Sequence, residues 1–383
     1  MIYFDNAATT YPKPQSVILA SNNALKNSAN PGRSGYKSSL KASELIFDCR
    51  QKAADFFSLK DVENCILTPS CTVSLNTVIY GTLKKGDHCV ISSLEHNSVL
   101  RPVKKLKDMG VISYDVAEVF YDDEDKTLES FRKCMNDKTK LVIATHASNV
   151  FGIKLPVKRI GALCKFYGVL FCLDCAQSAG VTPIDINEIG ADFLCVPGHK
   201  GLYGPMGTGL LLINTEKIPS SLYQGGTGSS NLDFSEPDIL PDKFESGTLN
   251  LSGFAGLSKG IDFVNSKTIP KIHSYEMSII KRVYNSLKSM KNVELYTSEP
   301  DSKRFVPLMS FNIKDKDPAR VSAVLDKEFG ICVRSGFHCS PIAHKYMSTG
   351  EKGTVRLCPS VFTTSFETDK LINAVYLMSK SKK

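Results

Sequence analysis

The chain has 383 residues, 42% hydrophobic and 22% charged, an ordinary globular composition and more than one small domain needs. Its net charge of +8 comes from scattered lysines, and a solvated cluster such as Lys104-Lys105-Leu106-Lys107 lacks interleaved aromatics, so no nucleic-acid partner is expected. No run of about 18 apolar residues and no basic-then-apolar leader occurs, so neither a membrane span nor export is expected, and the 12 cysteines read as reduced thiols of a cytoplasmic protein. In chain order, a helix is expected over 73–83, with short apolar, β-branched strands at 89–92, 141–145, 169–174, 193–196 and 209–213. Amphipathic stretches at 99–108 and 157–167 read as helices between them. This alternation predicts an α/β fold with a mostly parallel sheet flanked by helices and buried on both faces. The segment 223–242 is rich in Gly, Ser and Pro and reads as a loop. After about residue 260 the pattern changes to a helix at 275–289, a strand at 307–313, a helix at 318–329, strands at 331–334 and 355–357 and a helix at 368–379. That predicts a smaller α+β C-terminal domain. Residues 14–262 are therefore expected to form the large domain, and 1–13 with 263–383 the small one.

Ligands on such sheets sit beyond the carboxyl ends of the strands. Asp174 closes the strand 169–174, Lys200 follows the strand 193–196 on a glycine-rich turn, and His96 follows the strand 89–92. A strand-end Asp with a turn-borne Lys suits pyridoxal 5'-phosphate chemistry. The Lys holds the aldehyde as a Schiff base, and the Asp keeps the pyridine nitrogen protonated so that the ring accepts carbanion electrons. To act as a base Lys200 must be neutral, a condition that burial and nearby cations favour. Ser70-Cys71-Thr72 precedes the first helix, whose leading N–H groups suit a phosphate. Cys339 lies beside His338 and near Arg334, the cationic setting of a nucleophilic thiolate. Cys172 and Cys175 form a C-x-x-C, but strand geometry puts them on opposite faces, so no metal site is expected.

Eight segments in order resemble the class V aminotransferase family, and within it the SufS-like cysteine desulfurases and selenocysteine lyases. They begin with Tyr3-Phe4-Asp5-Asn6-Ala7-Ala8-Thr9-Thr10, Ser93-Leu94-Glu95-His96-Asn97 and Thr145-His146-Ala147-Ser148-Asn149. The Asp174 and Lys200 motifs follow, then Phe244-Glu245-Ser246-Gly247-Thr248, Val333-Arg334-Ser335-Gly336-Phe337-His338-Cys339 and Gly353-Thr354-Val355-Arg356. The resemblance implies a pyridoxal phosphate fold type I homodimer that converts L-cysteine to L-alanine, leaves a persulfide on Cys339 and passes the sulfur to an acceptor protein. It implies that Lys200 is the Schiff-base residue and base, that His96 stacks on the cofactor and moves protons, and that Gln177 and Asn149 touch the ring oxygen. Cys71, Thr72 and His199 would meet the phosphate, together with a Thr248 from the second subunit. Arg356 would bind the substrate carboxylate, with Arg334 and Asn149 beside it. The same scaffold implies selenocysteine lyase as the alternative.

The chain also departs from the family pattern. Pro197 stands where a phosphate-binding Ser or Thr is usual, and proline offers neither hydroxyl nor N–H. Ser70 and Cys175 replace glycines, Gly201 is an extra residue after the lysine, and Ala343-His344 follow the nucleophile. Pro197 motivates a further alternative, a scaffold or sulfur carrier with weakened catalysis.

Overall fold

In the computed structural model, which describes residues 1–31, 35–227 and 234–381, the apolar runs expected as strands are strands. After β1 (Ile2–Tyr3) come β2 (Cys65–Thr68), β3 (His88–Ser92), β4 (Ser113–Ala117), β5 (Thr139–Thr145), β6 (Leu170–Asp174), β7 (Phe193–Pro197) and β8 (Gly209–Ile213). β2 to β8 make one sheet in the order β2-β8-β7-β6-β5-β3-β4. Neighbours from β7 through β6, β5 and β3 to β4 run parallel, while β8 lies antiparallel to both β7 and β2.

Successive strand residues feed opposite cores, as the pleat demands. Val142, Phe171, Leu173, Leu194 and Val196 pack on one face, and Ile143, Cys172, Phe193, Cys195 and Ile213 on the other. Helices such as Asn97–Asp108 and Val157–Tyr167 return the chain between parallel strands. Two strands of this sheet were not expected. β2 has only four residues, and the edge strand β4, Ser-Tyr-Asp-Val-Ala, leaves Ser113 and Asp115 exposed and so reads as polar.

The C-terminal part holds β9 (Val293–Leu295), β10 (Met309–Ile313), β11 (Ile331–Cys332), β12 (Arg334–Gly336) and β13 (Thr354–Leu357). Four of these form an antiparallel sheet ordered β12-β13-β10-β9. The single strand expected at 331–334 is divided, because β11 pairs with β1 and β12 with β13. Phe4, just after β1, packs with Ile280, Val283, Phe311 and Leu325. The helix Pro318–Phe329 shows its sequence signals plainly: the Asp317 carboxylate accepts from the Ala319 and Arg320 N–H groups, and Gly330 ends it in the left-handed conformation. Of the expected loop 223–242, residues 228–233 lie outside the described residues. No described helix is long and apolar enough to cross a membrane.

Candidate active site

The carboxyl ends of β3, β5, β6 and β7 enclose a cavity of about 230 Å³. Cys71, Thr72, His96, Asn149, Asp174, Gln177, His199 and Lys200 all line it, as does Pro197. Asp174 is buried, and one of its oxygens accepts from the Ala176 N–H at 2.9 Å and from the Cys71 thiol at 3.5 Å. Burial holds its carboxyl above the usual range, against the Ala176 N–H and the Lys200 charge. No cationic side chain among the described residues stands within ion-pair distance of it. Loss of hydration lowers the Lys200 pKa, with Asp174 opposing the shift and Arg356 and Arg334 adding to it.

Gly201, the extra residue of the lysine turn, has a local reason. A Cβ there would lie 2.2 Å from the Ala179 carbonyl, and one on Gly180 would lie 2.1 Å from the Gly201 carbonyl. The turn after Asp174 and the turn carrying Lys200 thus meet backbone to backbone, which only glycine permits.

His96 caps the helix Asn97–Asp108, its Nδ1 accepting from the Ser98 N–H at 3.1 Å. That bond places the neutral ring's proton on Nε2. Burial first, then the Lys200 and Arg334 charges, lower its pKa to about 4, so the ring is neutral at pH 7. Just before it, the buried Glu95 accepts from the Thr145 N–H at 2.6 Å and joins the ends of β3 and β5. The helix Cys71–Thr82 begins at the cavity: Ser70 caps Val73, leaving the Cys71 and Thr72 N–H groups as its leading donors. The Cys71 thiol turns to Asp174, so what it can offer a phosphate is its N–H. His199 has a buried Nδ1 without a partner, and its carbonyl accepts from Lys13 Nζ at 2.7 Å. Burial lowers the Lys13 pKa to about 8. Lys13, Glu95 and Ser340 (below) were not singled out in the sequence. Glu95 alone carried a signal there, lying within the His96 motif.

Cys339 stands on an exposed turn, and both His338 (φ 49°) and Cys339 (φ 59°) adopt left-handed backbone. The Cys339 carbonyl accepts from the Asn97 N–H at 2.7 Å, which seats the turn beside His96. Arg334 Nη2 lies 3.8 Å from the Cys339 sulfur. The Asn149 side chain, expected at the cofactor, also reaches this turn: Nδ2 donates to the His338 carbonyl at 2.7 Å, and Oδ1 accepts from Ser340 Oγ at 2.7 Å. Arg356 is buried and partly engaged. Nη1 donates to the Asn149 carbonyl and Nη2 pairs with Asp5, each at 2.8 Å, while Nε has no partner. Gln177 Nε2 donates to the Ala7 carbonyl at 3.0 Å, leaving its oxygen for another donor. Thr248 is not at this cavity. It lines a separate pocket of about 410 Å³ with Arg50 and Glu245, a buried ion pair at 2.7 Å.

The architecture has close counterparts. A cysteine desulfurase from Thermococcus onnurineus NA1, solved in its apo form, superposes with a TM-score of 0.91 at 32% identity, covering 99% of this chain and 94% of that one. One from Escherichia coli, at 24% identity and a TM-score of 0.87, shares the fold. A probable cysteine desulfurase of Methanothermobacter thermautotrophicus is 36% identical over 96% of this chain and 92% of its own length, and one of Pyrococcus abyssi is 33% identical over 100% and 95%. The model of the aminotransferase class-V family matches residues 2–371, and the chain belongs to that family.

Proposed function

We propose that the chain is a pyridoxal phosphate-dependent cysteine desulfurase that carries sulfur on Cys339. One observation supports this above the others. The Cys339 carbonyl is bonded to Asn97, so an exposed thiol stands at the rim of the cavity lined by His96, Asp174 and Lys200.

The cavity's donor set suits the cofactor. Asp174, buried and without a cationic partner among the described residues, suits a pyridinium N–H. The Cys71 and Thr72 N–H groups at a helix start, and the unpartnered His199 Nδ1, suit a phosphate. His199 thereby supplies a donor that Pro197 cannot. His96, Gln177 and Asn149 line the remaining wall. The partner subunit's Thr248 would complete the phosphate site, and we read the chain as a homodimer on that account. When bound, the cofactor supplies an electron sink for the substrate α-carbon.

The chain's own residues do the rest. Lys200, whose burial favours the neutral amine, takes and returns the α-proton. Neutral His96 holds a donor proton on Nε2. Arg356 Nε and Arg334 provide positive charge for the substrate carboxylate. The Cys339 thiolate attacks the substrate sulfur: the S–S bond forms as the C–S bond breaks, and the electron pair left on carbon takes a proton to give L-alanine. The persulfide then passes to an acceptor, a sulfur-carrier protein in this reading, in a cytoplasmic setting that keeps the thiol reduced.

A coupled assay of alanine and sulfide on the cofactor-loaded protein tests this. Cys339→Ala is expected to keep the cofactor's visible absorbance and to lose alanine formation from cysteine by about 10²-fold or more. Native turnover by that variant excludes Cys339 as the nucleophile, and no visible band after adding pyridoxal phosphate excludes the whole reading. Running the assay on selenocysteine as well separates a desulfurase from a lyase, since the softer, more acidic leaving group needs less help from Cys339.

A further inference from the structure

The turn bearing Cys339 stores strain. A left-handed conformation is unfavourable for a residue with a Cβ, and His338 and Cys339 adopt it in succession. Such a conformation persists only where its surroundings over-determine it. Here one side chain does so from outside the turn, with two bonds. Asn149, which follows β5, donates to the carbonyl before Cys339 and accepts from the hydroxyl after it, at 2.7 Å each. Asn149 is 9% exposed and Ser340 0%, so neither bond competes with water. A third contact, His338 Nε2 to the Thr354 carbonyl at 3.0 Å, ties the turn to β13.

From this geometry we infer that Ser340 is a positioning residue for the nucleophile, acting through Asn149 to hold the Cys339 turn in its place beside His96. This rests on the reading of Cys339 as the nucleophile. The amide of Asn149 is matched at both ends: its nitrogen fixes the residue before the thiol, and its oxygen fixes the residue after it. Alanine at position 340 keeps the volume of the Cβ and removes only the second bond. The Asn149 oxygen is then left to turn elsewhere, and the turn is held on one side. Asn149 also lines the cofactor cavity, and its amide has a second N–H and a second lone pair to spend there, so the clamp and a cofactor contact are compatible.

The Cys339 carbonyl is bonded to the Asn97 amide and the Phe337 carbonyl to the Ser340 amide, at 2.7 Å and 2.9 Å. Those two N–H groups, on separate peptides, therefore report opening of the turn. In cofactor-loaded Ser340→Ala, hydrogen exchange followed by mass spectrometry is expected to quicken at the backbone amides of Asn97 and of position 340. The expected factor is about threefold to tenfold, that of one lost neutral hydrogen bond. Exchange in β6 and β7 and the melting temperature stay near native. The same variant is expected to lose a similar factor in kcat for alanine formation with KM unchanged. Unchanged exchange at both amides overturns the clamp. Faster exchange with native kcat overturns the positioning role. The exchange measurement does not depend on turnover, so a native protein that makes no alanine refutes the functional reading while leaving the clamp to be judged on its own.

Discussion

Lys200 and Asp174 stand at the ends of strands whose side chains are almost all buried, whereas Cys339 stands on an exposed turn with two left-handed residues. The first half of the site is a platform. β5, β6 and β7 are fixed by apolar packing on both faces, spread over many residues, so no single contact decides where Asp174 points. The second half is a latch. Its position depends on a few polar contacts, from the Asn97 N–H, the Asn149 and Ser340 side chains and the Thr354 carbonyl. The division suits the proposed chemistry: proton transfer at the α-carbon needs a fixed base, while a thiol that must take up sulfur and then release it to an acceptor needs to reach solvent.

The largest test removes the platform's base. Lys200→Ala is expected to lower alanine formation by about four orders of magnitude, the upper end of what positioned proton transfer contributes. Its melting temperature should stay within a few degrees of native, because the strands, and not the lysine, set the platform. A cooperative loss of structure on calorimetry would break the comparison. The next test removes charge from the latch. Arg334 lies 3.8 Å from the Cys339 sulfur, and Arg334→Gln is expected to slow alanine formation by about tenfold, the scale of one charge-assisted contact. The visible spectrum of the bound cofactor should not move. A shifted spectrum would place Arg334 with the platform and blur the two halves.

The same division governs what the sequence made legible. Strand ends could be read because β3, β6, β7 and β8 are continuous apolar runs, and the first three lead into His96, Asp174 and Lys200. The polar edge strand β4 escaped because it carries no such run, and β2 because its apolar run, Cys-Ile-Leu, is only three residues long. Nearly everything that specifies the latch is a pairing between distant residues. Ser340 meets Asn149 across about half of the chain and Arg356 meets Asp5 across most of it, and no local pattern announces either. The Cys71 thiol could be assigned to the phosphate loop by its place in the sequence, yet only the packing turns it to Asp174. Gly201 looked like a departure, and its reason is a backbone contact with Ala179.

The smallest effect concerns how the platform responds to pH. Besides Asp174, two carboxyls are buried on that side. Glu95 bridges β3 and β5, and Glu276, which accepts from the Tyr203 hydroxyl at 3.4 Å, shares a cavity of about 30 Å³ with Lys200. Burial pushes each up to about 8, from 4.5. Their folded pKa is raised, so the stability they contribute is fully present below about 4.5 and is lost as pH rises toward 8. The buried histidines are depressed and act in the opposite sense, and since an unfolded imidazole is still half protonated at about pH 6.5, their effect extends to about pH 7.5. Lys13 and Lys200, depressed by burial, act in the same sense as the histidines, so between about pH 6.5 and 7.5 the two carboxyls, each worth about 1 kcal/mol per pH unit, are separated from the other groups only by substitution. Glu276→Gln, which cannot titrate, should therefore shift the change in unfolding free energy across that unit upward by about 1 kcal/mol relative to native. Urea unfolding at the two pH values measures it, and the quantity to compare is the slope, since the substitution changes absolute stability as well. An unchanged slope in Glu276→Gln would mean that water reaches this carboxyl and that the platform is more open beneath Lys200 than its packing implies.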